Sequence, residues 1–156
     1  MASDPFVHED FRVLTPEAFD FVLNNELKRA VRSQNFLTLL VVEPVTEPPG
    51  RSVTPIVVRE VTRVVSREIR ETDLLAETPE GQLSVVLLDA DLQSSIGVVD
   101  RLAARLDHYA FSTRVGFELA AACCPTDGAD LQTLRRAAET HRARRLREGR
   151  DNASNG

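Results

Sequence analysis

Between Leu74 and Leu88 the chain runs Leu74-Leu75-Ala76-Glu77-Thr78, then Pro79-Glu80-Gly81-Gln82-Leu83, then Ser84-Val85-Val86-Leu87-Leu88. Two apolar runs around a short segment holding proline and glycine read as a β-hairpin. A hairpin commits the chain to a sheet, and the neighbouring segments must be read as what covers it.

Upstream, Thr15 is a natural N-cap and Pro16 suits the first helical position, opening a helix in which Phe19, Val22, Leu23, Leu27, Ala30 and Val31 recur at three- and four-residue steps. It should end near Asn35. The segment Phe36 to Val42 is too short and too continuously apolar for anything but a buried strand, and Pro44, Pro48, Pro49 and Gly50 then predict an irregular loop. Thr54-Pro55 repeats the helix-start signal, and Val57, Val61, Val64, Val65 and Ile69 form one stripe that closes just before Asp73. After Asp89-Ala90-Asp91 a third helix places Ile96, Val99, Leu102, Ala103 and Leu106 on one side. Val115 to Cys124 reads as an Ala-rich strand, and Pro125 and Gly128 turn the chain into a last helix carrying Leu131, Leu134 and Ala138. This order predicts an α+β sandwich with a ferredoxin-like core, its helices against one face of a mainly antiparallel sheet. Residues 151–156 are polar and are expected to be a disordered tail.

Composition excludes several classes. A chain of 156 residues with 42% hydrophobic and 28% charged residues fits one ordinary globular domain. No apolar run approaches the roughly 20 residues that span a bilayer, so no membrane insertion is expected. The opening Met1-Ala2-Ser3-Asp4-Pro5 lacks the basic start and apolar stretch of a secretory signal, which makes the cytoplasm the expected location. Cys123 and Cys124 are adjacent, and neighbours bridge only with strained geometry; on a strand they alternate faces, one buried and one on the other side. His8, His108 and His141 have no ligand-like spacing to them, so neither a metal nor a cofactor is expected. Behind the net charge of −5, Arg135, Arg136, Arg142, Arg144, Arg145, Arg147 and Arg150 crowd the last helix. With only His141 beside them, they read as a solvated face suited to a helix C-terminus rather than as a nucleic-acid surface, and they leave room for an acidic protein partner.

Taken together, these segments resemble a GGDEF domain, the module that condenses two GTP into cyclic di-GMP. Leu14-Thr15, Phe19 and Glu26 to Arg32 are similar to the family's opening Leu-Thr and first helix, without the usual Gly-Leu-x-Asn-Arg loop. Phe36 to Val42 resembles its first strand, and Arg59 to Asp73 the helix leading into the signature hairpin. Asp100-Arg101-Leu102 falls where Glu-Arg-Leu is common, Cys124-Pro125-Thr126-Asp127-Gly128 on Tyr-Pro-x-Asp-Gly, and Leu134-Arg135-Arg136-Ala137 on Leu-x-x-Ala-Asp. The resemblance implies a nucleotidyl-cyclase-like sandwich over 14–150, with 1–13 as an N-terminal extension.

The signature itself is degenerate. Where the family has Gly-Gly-Asp/Glu-Glu-Phe, this chain has Pro79, Glu80, Gly81, Gln82 and Leu83. The reaction needs carboxylates that hold metal ions at the triphosphate. Glu43 takes the strand-end position in place of the usual Asp, and Glu80 is one residue out of step, which in a hairpin turns a side chain to the other face. Pro79-Glu80 also cannot give the close backbone approach of Gly-Gly. The loop Glu43 to Val53 offers no equivalent of the family's Asn and Asp for guanine. No catalytic residue and no enzyme activity are expected.

A ligand site is retained in pattern. Arg70-Glu71-Thr72-Asp73 ends five residues before the degenerate motif, the spacing at which the family's inhibitory Arg-x-x-Asp binds cyclic di-GMP. Arg101 matches the helix position that often supplies another arginine. An arginine fork can take guanine's O6 and N7 or a phosphate, and a carboxylate can accept from N1 and N2. The resemblance therefore implies a non-catalytic cyclic di-GMP receptor acting through Arg70, Asp73 and Arg101. The alternative is a protein-interaction module of bacterial signalling with no nucleotide ligand, and a homodimer is compatible with both.

Overall fold

The computed structural model describes residues 6–8, 13–46, 50 and 52–141. In chain order these form β1 (Phe6–His8), β2 (Val13–Leu14), α1 (Pro16–Ser33), β3 (Leu37–Thr46), α2 (Pro55–Glu68), β4 (Leu74–Glu77), β5 (Leu83–Leu88), α3 (Leu92–His108), β6 (Val115–Cys124) and α4 (131–141). The six strands lie in the order β1-β2-β4-β5-β3-β6, every pair antiparallel except β2 with β4. From β3 to β6 the succession βαββαβ with β3 between β5 and β6 is the ferredoxin-like core. β1 and β2 extend the sheet on the β4 side, from a segment that the sequence reading left without strands.

The helices cover both faces, not one, and β3 is the reason. Leu37 to Val42 are all buried, and successive side chains on a strand point to opposite faces. A sheet bare on one side would leave half of them in water. Leu40 and Val42 join Val85, Leu87 and Leu119 beneath α2 and α3, where Val57, Val61, Val65, Val99, Leu102 and Leu106 pack. Leu39 and Val41 join Val86 and Ala122 beneath α1 and α4, with Phe19, Leu23, Leu27, Leu134 and Ala138. Each fully buried leucine contributes about 2 kcal/mol.

Local signals set the element ends. Thr15 Oγ1 accepts from Ala18 N–H and Thr54 Oγ1 from Val57 N–H, so both Thr-Pro pairs do open helices. The expected stripes need trimming: Val31 is 52% and Ile96 40% exposed, and Ser95 takes the buried place on α3. The Ser95 hydroxyl lies 2.6 Å from Thr38 Oγ1 and 2.7 Å from the Asp91 carbonyl, while Thr38 donates to Ala90 O. These bonds satisfy the buried hydroxyls and fix the start of α3 against β3.

β3 also runs further than the proline-rich sequence predicts, through Pro44 to Thr46. Its pairing with β5 stops at Val42↔Leu83, while pairing with β6 continues to Thr46↔Val115. Beyond Val42 no strand among the described residues pairs with β3 on the side that β5 has left, and proline is tolerated at such a sheet edge. At the other end of β6, Cys123 donates its N–H to Asp127 Oδ2 (2.8 Å) and accepts from Asp127 N–H (2.7 Å), and His141 Nδ1–H donates to Ala121 O.

Cys123 and Cys124 do alternate faces, but since both faces are covered both thiols are buried, and burial pushes each thiol up from its ordinary value. Neither should react with an aromatic disulfide reagent in the native protein. Labelling followed across a denaturant series should track global unfolding. Fast labelling without denaturant would mean that β6 opens locally.

Candidate functional site

The turn that joins α2 to β4 is held by one carboxylate. Asp73 Oδ2 accepts the Arg70 N–H at 2.9 Å and Oδ1 accepts the Leu88 N–H at 3.1 Å, which ties the turn to the end of β5. A carboxylate is the efficient acceptor here, since it can serve two donors at once. The Asp73 N–H returns to Arg70 O, closing the turn from the other side. Its side chain is only 2% exposed, whereas that of Arg70 is 63% exposed and lies over it, with Nη2 3.6 Å from Asp73 Oδ1 and a hydrogen bond to Leu88 O. Arg70 and Asp73 are therefore brought together, the first presented to solvent and the second beneath it. Direct contact of Asp73 with a ligand requires Arg70 to leave Leu88.

Arg101 arrives from α3. Its Nε donates to Glu68 Oε2 at 3.0 Å, and Arg105, one turn further on, places Nε 3.1 Å from Glu68 Oε1. Glu68 ends α2, two residues before Arg70, so its carboxylate connects Arg101 to the end of the helix that leads into the Arg70 turn. The sequence reading missed Glu68 and Arg105. The four-residue step from Arg101 to Arg105 was visible, but nothing local shows that a carboxylate from another helix will meet it.

On the far side of the hairpin, a cleft of about 600 Å³ lies among the end of β3, the start of α2 and the hairpin turn. Glu43, Arg59, Glu77 and Glu80 are its charged lining, with Pro44, Ile56 and Pro79 among its apolar walls. The hairpin closes through a Thr78 N–H to Gln82 O bond of 2.9 Å and a Gly81 N–H to Thr78 O bond of 3.0 Å. Gly81 has φ 88°, the left-handed region that glycine adopts without strain, and Pro79 presets the turn ahead of it. Glu80 stands exposed at the tip, while Glu77 is drawn back by Thr62, whose Oγ1 lies 3.0 Å from Glu77 Oε1. Among the described residues no three His, Cys, Asp or Glu side chains gather as a metal ion would require.

The arginine-rich helix is described only in part. Arg135 pairs with Asp20 across α4 and α1, and Arg142, Arg144, Arg145, Arg147 and Arg150 lie outside the described residues. No helix among the described residues is long and apolar enough to cross a membrane.

No family model and no curated protein matches the chain. Solved structures do. The GGDEF domain of YfiN (TpbB) from Pseudomonas aeruginosa superposes with a TM-score of 0.76 at 16% identity, covering 90% of this chain and 89% of that one. The GGDEF domain of DgcB from Caulobacter crescentus, solved with c-di-GMP, gives 0.76 at 12% identity over 96% and 92%. The P. aeruginosa diguanylate cyclase SiaD, solved with its activator SiaC, gives 0.74 at 16% identity over 93% of this chain and 60% of that one. The chain has the fold of a GGDEF domain.

Replacing Asp73 with Ala strands two backbone N–H groups and should destabilise the protein by about 2 kcal/mol. Gly81→Ala forces a Cβ into the left-handed region and should cost about 1 kcal/mol, whereas Glu80→Ala at the exposed tip should change stability by less than about 0.5 kcal/mol. Urea titrations of the three variants check the ranking; an unchanged midpoint for Asp73→Ala would show that the turn does not depend on this carboxylate.

Proposed function

We propose that this chain is a catalytically inactive GGDEF-like signalling domain that binds cyclic di-GMP through Arg70, Asp73 and Arg101. The observation that carries the reading is the Arg70–Asp73 turn: a solvent-facing guanidinium held on a buried carboxylate, at the position where the family resemblance puts the inhibitory site. Arg70 offers its fork to a phosphate or to guanine's O6 and N7 edge. Asp73 acts first by fixing the Arg70 backbone, and accepts from guanine's N1 and N2 once Arg70 has swung out to the ligand. DgcB, which shares the fold, was solved with c-di-GMP.

The reading of inactivity rests on the cleft. Of the hairpin-turn residues only Glu80 carries a carboxylate, at an exposed tip, and Gly81 and Gln82 occupy the places of the signature acids. Glu43 and Glu77 face the same space, which raises its negative charge without the Gly-Gly approach that a triphosphate needs.

The second reading, a protein-interaction module without a nucleotide, is supported by SiaD, whose structure holds a protein activator. Under it the cleft or the arginine-rich stretch from Arg135 onward would meet the partner, and Ile56, 65% exposed at the cleft, would give apolar contact.

With GTP and Mg²⁺ or Mn²⁺ the protein should release no pyrophosphate above a blank without protein. Turnover abolished by Glu43→Ala would reverse the reading of the hairpin.

Calorimetric titration should give saturable binding of cyclic di-GMP, weakened roughly ten- to a hundredfold in Arg70→Ala by loss of one charged bidentate partner. Because the Arg70 side chain is exposed, the free variant should lose less than about 1 kcal/mol of stability. No saturable binding at tens of micromolar ligand would leave the protein-interaction reading in its place.

A further inference from the structure

Resting on the receptor reading, we infer that the ligand site continues along α3, where Arg105 and Arg67 form a second anion cradle that takes a phosphodiester of the bound nucleotide. A groove of about 420 Å³ opens between α2 and α3, lined by Val64, Arg67, Glu68, Arg105, His108 and Tyr109. It begins one helical turn beyond Arg101. Arg101 and Arg105 both meet Glu68 through Nε, one on each carboxylate oxygen, and their side chains are 54% and 67% exposed while that of Glu68 is 14% exposed. A guanidinium anchored by Nε has its terminal nitrogens left for another acceptor. Glu68 thus acts as a positioning residue that fixes two forks on successive turns of α3, and a fork held in place loses less freedom when it binds.

The charges in the groove fit this role. Arg67 and Arg105 line the groove with Glu68, and Arg101 meets the same carboxylate, so an excess of positive charge remains after Glu68 is counted. The apolar end is built from Val64 and Tyr109, and the Tyr109 ring is braced by Phe111 with centroids 4.6 Å apart. Cations beside an aromatic face suit a phosphate joined to a planar base. A cyclic dinucleotide has two phosphodiesters, so one can sit at Arg70 and Arg101 while the other reaches Arg105 and Arg67.

Cyclic di-GMP would be titrated into the wild type, Arg70→Ala, Arg105→Gln and Glu68→Gln, with the Arg Nε–H resonances of each followed by NMR. The inference expects Arg105→Gln to lose roughly tenfold or more in affinity with an unchanged melting temperature, and the wild-type Arg105 Nε–H to shift on saturation. Glu68→Gln should also bind more weakly, because the forks are no longer held. If Arg105→Gln binds like the wild type while Arg70→Ala does not, the second cradle is wrong and the receptor reading stands. Tighter binding by Glu68→Gln would make the carboxylate a competitor of the ligand and overturn its positioning role. If the wild type does not bind, both fall together.

Discussion

The rest of the fold depends on burial of β3 from both sides. Six consecutive buried residues from Leu37 to Val42 cannot be satisfied by a one-sided sheet, so the chain must supply helices above and below. Of those helices α2 and α3 share one face, which brings Glu68 to Arg101 and Arg105. The same burial makes Thr38, the one polar residue in the run, a tie point: its hydroxyl can be buried only because Ala90 and Ser95 meet it.

The two ends of the hairpin differ in character. Its base is fastened by Asp73, which joins the entry to β4 with the exit from β5 and carries Arg70 on its outer side. Its tip is closed by proline, a left-handed glycine and the Thr78 hydroxyl, which accepts the Gln82 N–H at 3.1 Å. The turn is thus satisfied by its own residues.

Much of this was legible in the sequence, and what was not has a common cause. The hairpin runs, both Thr-Pro helix starts and Val115–Cys124 follow from local patterning, and the α+β class from their order. Placement of the helices on both faces was implicit in the unbroken Leu37–Val42 run but was read as one face. The extension of β3 through Pro44 was hidden because proline reads as a strand breaker unless one knows that β5 has already ended. Arg70, Asp73 and Arg101 were named through the family resemblance, and the fold sets the first two against each other in one turn. Asp73's hold on Leu88 and Glu68's on two arginines were not legible, since each joins residues whose proximity only the tertiary fold creates.

The far edge of β6 has a consequence for how such a chain behaves in a crowded solution. An open strand edge is a template on which another chain can polymerise, and an Ala-rich strand with few charges is a favourable one. Here Asp127 occupies both outward groups of Cys123, and His141 occupies the carbonyl of Ala121, so the inner end of that edge is already paired by the chain itself. Two side groups and one backbone amide thus serve as stoppers against runaway sheet growth, two strands across from β5.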